Sequence, residues 1–176
     1  DFTFDQVSVG ATENTVMAAA LAHGRTTMRN CAQEPEIVDL VKCLRAMGAK
    51  ITGEGTPVIT VDGVEELHGF KDYSIIPDRI EAGTYLIAAA LTGGEVELPG
   101  VSSGLLEAVL TKLRESGCEV EGDEKRIWLK APKKIKAVDV TTAPFPGFPT
   151  DMQAQFMTLM AFAEGSSVIT ENIFEN

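Results

Sequence analysis

The carboxylate best placed for proton transfer is Asp151. It follows a stretch with three prolines, residues 143–149, and precedes an apolar helical pattern. The prolines predict a stiff, non-helical lead-in, and Thr150–Gln153 has the pattern of a capping box. A carboxylate in the first turn of a helix stabilises its dipole by roughly 0.3–1 kcal/mol. The same carboxylate beside a substrate hydroxyl could accept its proton as a general base. The local pattern leaves both roles open.

A second candidate is the segment Ser8–Thr12, where a strand-like run gives way to a helix at Gly10. Backbone N–H groups at such a helix start can hold a phosphate group. Ser and Thr also cap helices that bind nothing. Anion binding and simple capping therefore both remain open for this segment.

The other residues of chemically useful types give weaker signals. Glu34 and Glu36 could form an acid–base pair, but flanking a proline they are more typical of helix-start charges. The spacing of the histidines and cysteines matches neither a zinc site nor a disulfide framework, so we expect no metal and no cofactor. Reduced, buried thiols indicate the cytoplasm. The three cysteines are Cys31, Cys43 and Cys118.

The charge balance bears on the partners. The chain has 15 Lys and Arg against 26 Asp and Glu, a net charge of −11. A nucleic-acid binder normally carries a basic stripe, and here only the lysine-rich run 130–136 approaches one. We interpret that run as a solvated loop, and expect no nucleic acid and no anionic membrane as partner. No apolar run approaches the ~18 residues that a membrane helix needs.

An internal repeat of about 70 residues organises the chain. The string AAALAHG at 18–24 returns as AAALTGG at 88–94, and a third copy begins at Ala161. Each copy predicts the element order βαβαββ, with an Ala-rich helix, then an amphipathic helix, then a hairpin. The sequence therefore predicts the α/β (α+β) class, with helices packed against sheets.

The predicted elements recur from one repeat to the next. The first strand is predicted at 7–9, 73–76 and 138–142, and the Ala-rich helix ends at Gly24, Gly94 and Gly165. The amphipathic helices end at Gly48 and Gly117. The hairpins pair 50–52 with 58–61 and 119–121 with 126–130. The chain begins without Met and stops inside an apolar run, so we expect a piece of a longer protein.

Several strings occur in this chain together with the repeat. They are VSVGAT (7–12), EPEIVD (34–39), GAKITGEGT (48–56), PDRIEAGT (77–84), TAPFPGFPTDMQAQF (142–156) and TENIFEN (170–176). Over the whole chain, they resemble the UDP-N-acetylglucosamine 1-carboxyvinyltransferase family of enolpyruvyl transferases.

The resemblance implies an inside-out α/β barrel fold, with two domains of three βαβαββ repeats each, helices inside and sheets outside. Residues 1–76 would be the last repeat of the first domain. Residues 77–140 would be the first repeat of the second domain, and 141–176 a truncated next repeat that carries Asp151.

The resemblance also implies a reaction, in a cleft between the domains. Phosphoenolpyruvate donates its enolpyruvyl group to the 3′-hydroxyl of UDP-N-acetylglucosamine through a tetrahedral intermediate, and phosphate leaves. This reaction is the first committed step of peptidoglycan synthesis. Asp151 matches the general base that takes the hydroxyl proton. The implied substrate-binding residues are Val7, Ser8, Val9, Gly10, Thr150, Ile173 and Phe174.

Two positions depart from the family's pattern. Gln6 stands where the family often has Lys, and the lost charge would weaken diphosphate binding. Phe145 stands where the family can have His, so we exclude Phe145 from the polar contacts. The loop with the reactive cysteine that fosfomycin alkylates in most members, and the Lys and Arg cluster for phosphoenolpyruvate, lie outside this chain. We therefore expect the chain alone to be inactive. Because the truncated third repeat would leave apolar surface open to solvent, we also expect the chain to self-associate. A shikimate-type enolpyruvyl transferase and a non-catalytic scaffold for RNA or a protein partner remain as alternatives.

Overall fold

The computed structural model describes residues 1–174, and contacts divide the chain into two compact units, residues 1–76 and 77–176. We call them unit 1 and unit 2 and describe each by itself. The last two residues of the TENIFEN string lie outside the described residues. Within the described range, every helix is too short or too polar to cross a bilayer.

Unit 1 has the predicted order βαβαββ. Its strands form one sheet in the order β1-β2-β4-β3, in which only β1 and β2 run parallel. The hairpin of β3 and β4 lies where the sequence predicted it. The elements are β1 (Phe2–Thr3), α1 (Val9–Ala20), β2 (Arg25–Arg29), α2 (Pro35–Ala46), β3 (Lys50–Thr52) and β4 (Val58–Asp62).

The core of unit 1 lies between its two helices and one face of the sheet. Val16 of α1, Ile37 of α2 and Ile59 of β4 are fully buried in it. The first turn of α1 is tied to the core by Thr12, which is itself fully buried. Its hydroxyl donates to the Ser8 carbonyl at 2.8 Å and accepts from the Ala32 N–H at 3.0 Å. This pair of bonds fixes where the helix begins.

Unit 2 contains an antiparallel sheet in the order β5-β7-β6 and a parallel pair, β8 with β9. The predicted hairpin of β6 and β7 is present. A 3₁₀ turn, Thr150–Met152, leads into the last helix. The elements are α3 (Arg79–Leu91), β5 (Glu95–Pro99), α4 (Glu107–Glu115), β6 (Glu119–Gly122), β7 (Arg126–Lys130), β8 (Val140–Thr141), α5 (Gln153–Met160) and β9 (Ile169–Thr170).

The mixed α/β class is confirmed. The described strands form open sheets of four, three and two strands, and none of these closes into a barrel. The core of unit 2 gathers side chains from its helices and its β-hairpin. Leu86, Leu113, Ile127 and Phe156 are fully buried in it.

Two predicted strands are wrong. Val9 is the first residue of α1 and not a strand residue, since Ser8 caps the helix there, and the strand of unit 1 is Phe2–Thr3 instead. Residues 73–76 form no strand. The Tyr73 hydroxyl instead donates to the carbonyl and the carboxylate of Asp39, at 2.8 and 2.9 Å. A side-chain contact therefore holds this segment in place of a backbone ladder.

The predicted ends of the Ala-rich helices lie too far along the chain. The helices α1, α3 and α5 end at Ala20, Leu91 and Met160. Gly24 and Gly165 do have positive φ angles, 85° and 114°, but they lie in the turns that follow. The glycine with positive φ after α3 is Gly93 and not Gly94. The amphipathic helices α2 and α4 do end just before Gly48 and Gly117, as predicted.

Candidate functional site

The start of α1 in unit 1 is a capped helix terminus. The Ser8 hydroxyl oxygen accepts from the Ala11 N–H at 3.3 Å, and the Ser8 carbonyl accepts from the Thr12 N–H at 3.0 Å. Among the described residues, the N–H groups of Val9 and Gly10 have no acceptor. Such first-turn donors are left free by helix geometry.

The surface around this helix start is open. Val7, Ser8, Val9 and Gly10 are all exposed, and a Cβ added at Gly10 would meet nothing within 4 Å. Two free N–H groups at the positive end of a 12-residue helix can hold an anionic oxygen. The structure therefore places all four predicted residues of this segment at one accessible helix terminus.

The 3₁₀ turn Thr150–Met152 in unit 2 carries Asp151, which is exposed. Among the described residues, its carboxylate has no hydrogen-bond or ion-pair partner. An exposed carboxylate without a protein partner can accept a proton from a substrate hydroxyl. The predicted position at a helix start is confirmed.

The predicted capping box at 150–153 is wrong. Neither Pro149 nor Met152, which precede the 3₁₀ turn and α5, makes a side-chain cap bond. The Thr150 hydroxyl instead donates to Glu171 Oε2 at 2.6 Å, 21 residues away along the chain. A tertiary contact has thus replaced the local one.

Glu171 gathers hydrogen bonds from three segments. Its Oε1 accepts from the Thr142 hydroxyl at 2.9 Å, from the Phe174 N–H at 3.2 Å and from the Ile173 N–H. The bond from Thr150, followed by the other three, lowers the pKa of Glu171 to about 2 against the opposing effect of desolvation. Glu171 is therefore an anion that holds these donors in place across the physiological pH range.

Close packing holds the other side of the turn. Met152 is 1 % exposed and lies against α3 at Gly83, where an added Cβ would come within 2.8 Å of the Met152 methyl carbon. The Gln155 amide of α5 donates to the Thr84 hydroxyl of α3 at 3.0 Å. Gly83 therefore lets the start of α5 approach α3 closely.

Glu171 brings together three of the predicted residues of unit 2, since it binds Thr150, Ile173 and Phe174 directly. Val7 to Gly10 belong to unit 1. The sequence analysis missed Glu171 itself. Its only signal was a carboxylate directly after a strand-like run in the string TENIFEN.

The remaining candidates have structural surroundings. Glu34 immediately precedes α2 and Glu36 lies in its first turn, as expected for helix-start charges. The Arg79 guanidinium lies over the Phe145 ring, 5.8 Å from the ring centre, in a cation–π contact. In the described part of the chain, no three His, Cys, Asp or Glu side chains converge as metal ligands would.

The cysteines differ in their exposure. Cys31 and Cys118 are buried, and this burial raises the pKa of both thiols, while Cys43 is half-buried. Burial of the thiols is therefore confirmed for two of the three. A neutral thiol is a poor nucleophile.

Three curated proteins, all named UDP-N-acetylglucosamine 1-carboxyvinyltransferase, are similar to this chain. The protein from Ruthia magnifica subsp. Calyptogena magnifica is 55 % identical over 98 % of the chain and 41 % of its own length. The one from Zymomonas mobilis subsp. mobilis is 54 % identical over 99 % of the chain and 41 % of its own length. The one from Gluconobacter oxydans is 56 % identical over 96 % of the chain and 40 % of its own length. The chain thus spans about two fifths of these relatives.

Two solved structures share the fold. The enolpyruvyl transferase NikO from Streptomyces tendae matches 92 % of this chain and 39 % of its own, with a TM-score of 0.80 and 28 % identity. EPSP synthase from Acinetobacter baumannii matches 96 % of this chain and 40 % of its own, with a TM-score of 0.66 and 20 % identity. This second likeness bears on the fold alone.

The sequence model of one family covers the chain from residue 1 to residue 176. Its description is EPSP synthase (3-phosphoshikimate 1-carboxyvinyltransferase). The predicted relation to the enolpyruvyl transferases is thereby confirmed. This chain belongs to the EPSP synthase (3-phosphoshikimate 1-carboxyvinyltransferase) family.

Proposed function

We propose that this chain is part of a transferase that moves the enolpyruvyl group of phosphoenolpyruvate to the 3′-hydroxyl of UDP-N-acetylglucosamine, in peptidoglycan synthesis. One observation carries the proposal: relatives with that name are 54–56 % identical over 96–99 % of the chain. The chain spans about two fifths of them, so the activity belongs to the whole protein. Its 1–76 segment ends the first domain, 77–140 begins the second, and 141–176 is the truncated next repeat.

Asp151 is the proposed general base. It takes the proton of the 3′-hydroxyl as that oxygen bonds to the enolpyruvyl carbon, and phosphate then leaves the tetrahedral intermediate. Its exposure and its lack of a partner among the described residues support this role. The positive end of the helix that follows stabilises the carboxylate.

The proposed substrate contacts lie on two surfaces. Val7, Ser8, Val9 and Gly10 bind the diphosphate–uridine part, and the free N–H groups at the start of α1 support this assignment. On the other surface, Thr150, Ile173 and Phe174 line the sugar site. Their common link to Glu171 supports a single binding surface within unit 2.

The shikimate-type alternative has less support, because the relatives that are 54–56 % identical to this chain are named UDP-N-acetylglucosamine 1-carboxyvinyltransferase. For the protein as a whole, we also propose a cytoplasmic location, which the three free cysteines support. Exposed apolar side chains on α3 and α5, Tyr85 and Met157, support self-association of the isolated chain.

The test is phosphate release by the full-length protein that contains this chain. We expect release with phosphoenolpyruvate and UDP-N-acetylglucosamine, and none when shikimate 3-phosphate replaces the nucleotide sugar. The 176-residue chain alone should release none. Release with shikimate 3-phosphate only would support the alternative, and no release with either acceptor would support a scaffold.

A further inference from the structure

We propose that Glu171 is a positioning residue for the transfer reaction, which fixes the turn that carries Asp151 against the end of β9 and the segment Ile173–Phe174. The reaction itself rests on the proposed function, and the contacts of Glu171 carry the rest. Its carboxylate joins the residue after β8, the 3₁₀ turn and the two residues that line the proposed sugar site.

The turn needs such an anchor because nothing local holds its polar side. No side chain caps it, and the side chain of Asp151 is exposed. The neighbours of Asp151 on either side are both fixed: Thr150 by its bond to Glu171, and Met152 by burial against Gly83. A residue held at both neighbours has little freedom to shift its backbone.

This arrangement controls the position of the Asp151 carboxylate. A proton acceptor must lie within hydrogen-bond reach of the substrate hydroxyl, and a misplacement of about 1 Å can cost about 100-fold in rate. Loss of the Glu171 contact frees one of the two anchors. We therefore expect turnover to fall by a larger factor than the affinity for the nucleotide sugar.

Two substitutions distinguish the charge of Glu171 from its hydrogen bonds. In Glu171→Gln, the amide oxygen can still accept from Thr142, Ile173 and Phe174, and its NH₂ group can donate to the Thr150 hydroxyl. Glu171→Ala removes all four bonds. The Gln variant should therefore retain more activity than the Ala variant.

A double-mutant cycle in the full-length protein tests the proposal. We expect Glu171→Ala and Thr150→Val each to lower kcat about tenfold or more, and to change KM for UDP-N-acetylglucosamine by a smaller factor than kcat. If Thr150 acts through Glu171, the double variant should be no slower than the slower single variant, within about twofold. Losses that multiply would show that Thr150 affects the rate independently of Glu171 and would overturn the proposal.

Ser167→Ala is the matched control. It removes one hydrogen bond, which Ser167 Oγ donates to the Val138 carbonyl at 2.6 Å. This bond joins the segment before β8 to the segment before β9, at the opposite end of the strand pair from Glu171. We expect its kcat to stay within about twofold of wild type although its melting temperature falls. An equal loss of kcat in this control would show that general loosening explains the effect.

Two outcomes separate this proposal from the function on which it rests. Wild-type protein that releases no phosphate would refute the proposed function. Active wild type together with an unimpaired Glu171→Ala variant would refute only the role of Glu171. Should Glu171→Ala fail to fold, Thr150→Val with Thr150→Ser as its rescue decides the question, since Ser keeps the hydroxyl.

Discussion

The starts of α1 and α5 are both helix termini with an exposed polar face, but they are held in different ways. The start of α1 is capped by its own Ser8 and tied down by Thr12, four residues further on. The turn before α5 has no cap, and its Thr150 is bound to Glu171 far along the chain. The local cap at α1 leaves two N–H donors without an acceptor among the described residues, whereas the long-range bond of Thr150 leaves the neighbouring Asp151 carboxylate exposed.

In the proposed function, this difference separates a substrate-binding surface from a reacting group. Open N–H groups at a helix terminus bind an anion equally well before and during a reaction, so they affect affinity. A carboxylate that accepts a proton affects the rate, and it needs an accurately held backbone. The comparison therefore predicts that changes at α1 alter KM and that changes at the Asp151 turn alter kcat.

The largest expected effect is that of Asp151→Asn in the full-length protein. The amide keeps the shape of the side chain but cannot take the hydroxyl proton, so kcat should fall about 10²- to 10⁴-fold, with a much smaller change in nucleotide-sugar affinity. Phosphate release and calorimetric binding measure the two quantities. Asp72→Asn, at an exposed position outside both helix starts, is the control. Near-normal turnover of Asp151→Asn would return Asp151 to a helix-start charge.

Acid should weaken the anchored turn more than the capped one. The pKa of Glu171 is lowered to about 2 in the folded protein, and an unfolded Glu has a pKa of about 4.3. The contribution of Glu171 to stability is thus complete above about pH 5 and is lost as the pH falls toward 2. Melting temperatures of wild type and Glu171→Gln should therefore converge between pH 5 and pH 2. A constant difference over that range would contradict an ionised Glu171.

Ser8→Ala should weaken the start of α1 and the binding of the diphosphate. Loss of an N-cap typically costs about 1 kcal/mol of stability. We expect KM for UDP-N-acetylglucosamine to rise about fivefold, which corresponds to about 1 kcal/mol of binding free energy, with kcat nearly unchanged. Asn14→Ala is the control, because Asn14 bonds the Gly10 carbonyl on the same helix without capping it. A fall in kcat with unchanged KM would break the division between the two regions.

Gln6→Lys should have a smaller effect in the opposite direction. Gln6 is exposed two residues before the capping Ser8, so a Lys there adds a positive charge near the proposed diphosphate site. Exposed ion pairs are worth about 0.2–1 kcal/mol, which is a gain in affinity of about 1.5- to 5-fold. The gain should shrink at high salt, and Gln6→Glu should show a loss. A salt-independent result would contradict an anion at this helix start.

The smallest effects belong to the cysteines. Each Cys→Ala variant should keep kcat within about twofold of wild type, because no cysteine lies at either helix start. Burial raises the pKa of Cys31 and Cys118, so iodoacetamide at neutral pH should label the half-buried Cys43 first. Peptide mass spectrometry gives the order, and faster labelling of Cys31 or Cys118 would show that unit 1 or unit 2 opens at that thiol.

Local signals determined much of the fold. The spacing of apolar residues and the Glu-Pro start predicted α2, and its end before Gly48 follows from the positive φ of 101° that this glycine adopts. The two hairpins were predicted because strand alternation and turn residues lie within about a dozen residues of each other. Capping by Ser8, a contact that spans three residues, was one of two roles that the local pattern left open, although the predicted strand at 7–9 had included Ser8.

The sequence determined the family as well. A long string such as TAPFPGFPTDMQAQF, repeated structural units and the order of the motifs need no tertiary information. Asp151 was proposed as the general base in this way, and the residues around Ser8 were proposed as substrate contacts. What these patterns could not give is how the turn that carries Asp151 is held.

Only the tertiary structure decided the contacts between distant segments. Thr150 has a helix-start pattern, and its hydroxyl could cap locally, but Glu171 competes for it as an ionised acceptor, and charge-assisted bonds are the stronger ones. The same holds for Phe2–Thr3, which became a strand because β2 offers it a parallel edge. Propensity acts over a few residues, whereas hydrogen-bond partners and close packing, as at Gly83 and Met152, depend on which segments the folded chain brings together.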